Sequence, residues 1–185
     1  LPPSPPERAT FSANQGAPMI PVSSLWTWGE LFQLSIPDNV IVSDREHAIE
    51  FVPALYNLKA TPIADQREAA RAWLTVFDVP EDTPDRACRA AIVRFAGSLG
   101  LLVPEDAVAT LVDRGVVWGR LDFISGDHDW HLVAVAWNGH LALFFATGTD
   151  RDPAFAESMD RVIASWRPVD PVVAIDIPLP ADDGF

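Results

Sequence analysis

The chain has one cysteine, Cys88, among its 185 residues. A lone cysteine excludes an internal disulfide and every multi-cysteine zinc site. Cations are scarce as well. Only 13 Lys and Arg stand against 26 Asp and Glu, a formal charge of −13. That argues against nucleic acid as a partner, because binding it needs a basic surface that displaces counterions. It argues equally against an anionic membrane surface. No apolar run approaches the roughly 18 residues of a membrane span. GxGxxG, P-loop, HExxH and GxSxG are all missing, so no cofactor and no catalytic residue is assigned from motifs.

Hydrophobic residues make up 49% of the chain, enough for a sizeable core, and the length suits one domain. Prolines mark its ends. Residues 1–24 read as a flexible proline-rich arm, 25–168 as a single domain and 169–185 as a proline-rich tail. Within that tail "VVAID" reads as a short strand that flanking prolines confine to a sheet edge. With no cysteine pairs and no visible signal peptide, a cytoplasmic location is expected. The chain starts at Leu1 rather than methionine, which also suits a removed leader or a longer protein.

Hydrophobic periodicity divides the domain into strands, helices, strands and a final helix. "LFQLSIP", "NVIVS" and "HAIEFV" alternate as strands, and "ALYNLKA" is a further candidate. In "ADQREAARAWLTVFDV", Ala70, Trp73, Leu74 and Phe77 fall at i, i+3, i+4 and i+7, which predicts a helix. "TPDRACRAAIVRFAGSLG" predicts a second, with Thr83 as N-cap, Pro84 at the first turn and Gly100 as its end. Cys88 lies on its buried face, where an inert thiol is expected. "PEDAVATLVDRG" reads as a short third helix stopped by Gly115, completing a helical insert over about residues 65–114. "VVWGRLDFIS", "WHLVAVAW" and "HLALFFATG" return to period two, with Asn138-Gly139 as a hairpin turn. Asp152 and Pro153 then start a helix whose stripe is Phe155, Met159, Val162, Ile163 and Trp166.

The densest polar stretch is "SGDHDWH", residues 125–131. Gly126 and Asp127 suit a turn between strands. Asp127, His128, Asp129 and His131 are the candidate metal ligands or catalytic cluster. His128 and His131 are three apart and face opposite sides of a strand, whereas Asp127, Asp129 and His131 share a face if the strand starts early. His47 and His140 read as solvated loop histidines. Of the seven tryptophans, Trp26 and Trp28 alternate with Thr27 beside the flexible arm. They either seal the sheet edge as core or present an aromatic patch to a partner.

The segment order resembles the PsbP-like fold, which includes Mog-type Ran-binding proteins and bacterial DcrB-like proteins. "GELFQLSIPDNVIVSD" is similar to the opening hairpin of those families. "WHLVAVAWNGHLALFFATGTDRDPAFAESMDRVIASWRP" is similar to their central hairpin and closing helix. The resemblance covers about residues 28–168, with the insert at 65–114 as its departure. It implies an α+β fold, an antiparallel sheet packed by helices, and a binding scaffold with no catalytic residues to carry over. The expected function is a non-catalytic protein-binding module of bacterial type: a chaperone, an immunity-like protein or an accessory subunit. A basic protein partner is compatible with the charge. The alternative is a metal-dependent enzyme or metal-binding protein built on Asp127–His131.

Overall fold

A computed structural model of the chain describes residues 23–45, 48–54, 69–80 and 82–172. The arm as far as residue 22, His47, the strand expected from "LYNLKA" and the "VAID" of the tail lie outside those residues.

In chain order the strands are β1 (Ser23–Trp28), β2 (Phe32–Pro37), β3 (Val40–Arg45), β4 (Ala48–Pro53), β5 (Arg71–Asp78), β6 (Ala109–Asp113), β7 (Val116–Ser125), β8 (His128–Trp137), β9 (His140–Thr147) and β10 (Arg167–Pro168). Two α-helices stand among the described residues, α1 (Pro84–Ser98) and α2 (Pro153–Ala164), with a 3-10 turn at Glu105–Ala107. The larger sheet has the order β3-β4-β5-β9-β8-β7-β6 and the smaller the order β1-β2-β10. Every strand pair is antiparallel. The chain is therefore an α+β protein, an antiparallel sheet packed by helices, as its sequence predicts.

Three two-residue turns build the β6–β9 meander. Asn138 and Gly139 take φ of 42° and 77°, and Arg114 and Gly115 take 50° and 82°. Positive φ at both central residues is the geometry that matches the twist of hairpin strands. Between β7 and β8 the turn is Gly126-Asp127, with Gly126 at φ 63° and Ser125 opposite His128.

Strand alternation then sends side chains to two cores. On one face Leu132, Ala134 and Ala136 of β8 and Leu141 and Leu143 of β9 meet Cys88, Ile92 and Ala96 of α1. Gly119 permits that approach. A Cβ there would lie 3.2 Å from both the Cys88 Cβ and the Ile92 Cδ1. On the other face Val135, Trp137, Ala142 and Phe144 meet Phe155, Met159, Val162 and Trp166 from α2 and the segment after it, and Phe32, Leu34 and Ile36 of β2. Each such buried aliphatic or aromatic side chain contributes roughly 1.5–3 kcal/mol, so the two helices are held by their apolar faces.

The helix ends follow the expected chemistry in part. Asp152 accepts the Phe155 N–H at 3.0 Å, and Pro153 follows it. Thr83 occupies the N-cap position of α1 without a side-chain cap bond, so Pro84 marks that start alone. Gly100, at φ 81°, closes α1: its N–H reaches the Gly97 carbonyl and the Leu101 N–H the Ala96 carbonyl, both at 3.0 Å. This double bond pattern uses carbonyls that the helix end leaves free.

Two of the expected helices are strands. The stretch holding Trp73, Leu74 and Phe77 is β5, a strand between β4 and β9. It is apolar on both faces, with Ala72, Leu74 and Val76 on one side and Trp73 and Phe77 on the other. A two-sided apolar strand satisfies a helical template by accident. "ATLVD" is β6, and Gly115 is a hairpin turn rather than a helix stop. Among the described residues the expected three-helix insert thus holds one helix and one 3-10 turn.

Candidate functional site

The register of β7 against β8 decides where the polar stretch sits. With two residues in the turn, Asp122 falls opposite His131. The Nδ1 of His131 lies 2.8 Å from Asp122 Oδ1, and its Nε2 lies 3.1 Å from Asp129 Oδ2. Arg120 Nε donates to Asp122 Oδ2 at 2.9 Å. A neutral imidazole has one N–H and serves one carboxylate, whereas the doubly protonated ring serves both.

Asp129 also ties β8 to the loop that opens α2. Its Oδ1 accepts the Gly148 N–H at 2.7 Å. Its Oδ2 accepts the Thr149 N–H at 3.0 Å, the Thr149 hydroxyl at 2.6 Å and the Asp150 N–H at 3.3 Å. Burial works to raise the Asp129 pKa, but donation from Thr149, Gly148, Asp150 and His131 outweighs it and brings the group to about 2. Burial likewise opposes ionisation of Asp122, and the bonds from Arg120 and His131 overcome it, so its carboxyl sits below the usual range. Charge-assisted bonds of this kind are about twice as strong as neutral ones.

Of the four candidate ligands, the structure brings Asp129 and His131 together. Asp127 and His128 stand exposed at the turn. Among the described residues no group of three or more His, Cys, Asp or Glu is arranged to hold a metal ion. Chemically, the cluster is occupied with itself. Asp129 accepts four hydrogen bonds from the loop, the Thr149 hydroxyl is spent on it, and both His131 nitrogens face carboxylates. A cavity of about 90 Å³ lies beside Arg120 and His131, walled by Val133, Phe144 and Met159. Drug-sized ligands need roughly 300 Å³ or more.

Beyond the cluster the surface opens into a wider depression of about 720 Å³ between the β7–β8 hairpin and α2. Asp122, Asp129, Asp150, Glu157 and Asp160 line it, with Phe123, Ile124 and Pro153. Ile124 is 76% exposed. Sequence reasoning missed Asp122, Thr149 and the α2 acids. Counting outward from a two-residue Gly126-Asp127 turn would have paired Asp122 with His131.

The other singled-out residues are placed as follows. Trp26 and Trp28 are partly buried on β1 and packed against the core, Trp28 stacking on Phe32 at 6.1 Å. Trp73 stacks on Phe145 at 5.3 Å. His140 Nδ1 lies 3.1 Å from Asp78 Oδ1. Cys88 is fully buried; burial, with the Asp85 charge adding to it, pushes its thiol up to about 12. No helix among the described residues is long and apolar enough to cross a membrane.

No protein-family model matches the sequence, and no curated protein matches it. Solved structures do. Cyanobacterial PsbP (CyanoP) from Synechocystis sp. PCC 6803 superposes with a TM-score of 0.55 at 13% identity, over 84% of this chain and 98% of that one. The Saccharomyces cerevisiae Ran-binding protein Mog1p superposes with a TM-score of 0.52 at 6% identity, over 82% of this chain and 97% of that one. The fold is thus PsbP- and Mog-like. At such identities the likeness concerns the fold alone.

Proposed function

We propose that this chain is a non-catalytic protein-binding module of bacterial type, a chaperone, immunity-like or accessory protein, and that it docks a basic partner. The observation that carries the reading is the depression between the β7–β8 hairpin and α2. Five carboxylates surround an exposed Ile124 there, on a chain of net charge −13. The His131 cluster beneath it bonds within itself and to the loop before α2 and holds the wall in place, which supports binding over chemistry. Mog1p, of like fold, is a Ran-binding protein, so a protein partner suits this scaffold.

Acidic complementarity speeds encounter and is screened by salt. Binding of a lysine-rich peptide, measured by calorimetry, should weaken at least tenfold from 50 to 300 mM salt. Asp150→Lys/Asp160→Lys should abolish it without lowering Tm by more than a few degrees. Equal binding by this variant, or salt-insensitive binding, would sink the reading. A stoichiometric metal ion lost in His128→Ala/His131→Ala would replace it with the metal-site alternative.

A further inference from the structure

A second surface lies at the other end of β7, and it has the opposite character. The last strand of the large sheet, β6, pairs with β7 alone among the described residues. Asp113 and Val116 flank the two-residue turn, so they bond to each other, and the alternation of an antiparallel ladder continues from there. Ala109, Leu111 and Asp113 therefore spend their backbone groups on β7. Thr110 and Val112 point theirs outward. Folded proteins usually blunt such an edge with charge, proline or a bulge. Here Leu111 is 65% exposed and Val112 is 49% exposed. The strand is also held firmly from below. Arg89 of α1 donates to the Val108 carbonyl at 2.9 Å and to the Thr110 hydroxyl at 2.6 Å.

Beside this edge runs a groove of about 670 Å³, walled by Leu111, Val116, Trp118 and Trp166. Arg114 and Arg167 also line it, with Asp113 as the acid among its lining residues. Both arginines are exposed. Trp166 is 2% exposed, and its indole N–H has no acceptor among the described residues. Trp118, Trp137 and Phe32 surround that ring at 5.6, 4.8 and 6.1 Å and bring no oxygen to it. A buried donor without an acceptor costs about 1–3 kcal/mol. Trp166 is itself one of the residues that line the groove.

We propose that the β6 edge and this groove take an extended peptide segment of a protein partner, added as a further strand. Main-chain bonds go to Thr110 and Val112. An apolar side chain enters beside Leu111 and Trp118, and a carboxylate sits by Arg114 and Arg167. Strand addition of this kind draws affinity from the backbone and specificity from the pockets for alternate side chains. The occupant is acidic and apolar because the groove combines an aromatic wall with two cations on an otherwise acidic chain. The inference is independent of the basic-partner reading, which concerns the far end of β7.

The test uses the full chain and an acetylated, amidated hexapeptide of alternating isoleucine and aspartate, followed by tryptophan fluorescence and amide exchange. Saturable binding is expected, with slowed exchange at Thr110 and Val112. Arg114→Glu/Arg167→Glu and Leu111→Lys should each weaken it at least tenfold while leaving Tm nearly unchanged. An isoleucine–lysine peptide and a backbone N-methylated one should not bind. Equal binding of the lysine peptide, or equal binding by the variants, would overturn the proposal. So would sedimentation showing a dimer dispersed by Leu111→Lys, since the occupant would then be a second copy. Slow exchange at Thr110 and Val112 with no peptide present, and no saturable binding, would also overturn it, because the chain's own residues beyond Val172 would then cover the edge.

Discussion

At the scale of single residues, Asp129 does more than any other side chain in the polar cluster. It connects β8, His131 and the loop before α2 through one carboxylate. Its folded pKa of about 2 lies below the ordinary 3.8. A depressed carboxylate contributes stability at pH above its unfolded value, and that contribution is lost as pH falls from about 4 towards about 2. Asp129→Asn should therefore cost about 2 kcal/mol at pH 7 in urea unfolding, and wild type and variant should converge near pH 2. An unchanged gap at pH 2 would contradict the role assigned to its charge. Cys88 offers a second check. At a pKa of about 12 rather than 9.0 it holds roughly a thousandfold less thiolate at neutral pH. Iodoacetamide should leave native protein unmodified, by mass spectrometry, and label it fully in urea. Rapid native labelling would mean that α1 opens readily.

At the scale of elements, the connection from β9 to α2 is the most constrained. Gly148 has φ 71°, and a Cβ there would meet the backbone of Ala70 at 3.1 Å and the Ala69 carbonyl at 3.2 Å. Both the conformation and the space require glycine. Gly148→Ala should destabilise by about 2–3 kcal/mol, because strain and contact act together and the N–H bonded to Asp129 shifts with them. A loss under about 0.5 kcal/mol in urea unfolding would refute this account. At this scale the sequence was legible where local chemistry and tertiary environment agree. The Asp152-Pro153 start of α2, the Asn138-Gly139 turn and the Gly100 end of α1 all depend on neighbouring residues alone. β5 and β6 were misread for the converse reason. β5 lies between two strands and carries Trp73 and Phe77 on the face opposite its buried Ala72 and Leu74, so apolar residues on both faces blur period two in its pattern. The apolar β6 residues Leu111 and Val112 stand on an exposed edge, where burial does not choose them.

At the scale of the whole molecule, net charge and topology act together. A charge of −13 destabilises a compact state through self-repulsion. Raising salt from about 10 to 200 mM should raise Tm by several degrees in calorimetry, since the Debye length falls to below about 10 Å. A falling Tm would mean that attractive pairs such as Arg120 with Asp122 and Arg45 with Glu50 outweigh the repulsion. Topology separates two surfaces of unlike character along one strand. Asp122 and Ile124 of β7 border the acidic depression, and Val116 and Trp118 border the apolar, arginine-rimmed groove.

The amino-acid sequence by itself determined the class, the β7–β8 and β8–β9 hairpins, the two helices and the apolar stripe of α2. Turn chemistry and amphipathic periodicity are local, and they are written in consecutive residues. The polar cluster was visible only in part. Asp129 and His131 announce themselves as a polar pair, but their partners Asp122 and Thr149 lie 9 and 20 residues from those they bond. Pairing register and the approach of the β9–α2 loop brought them together. The place of β6 at the edge of the sheet and the lack of an acceptor for the Trp166 N–H, both among the described residues, were likewise settled by tertiary structure alone, because which strand ends a sheet depends on the order in which distant segments pair.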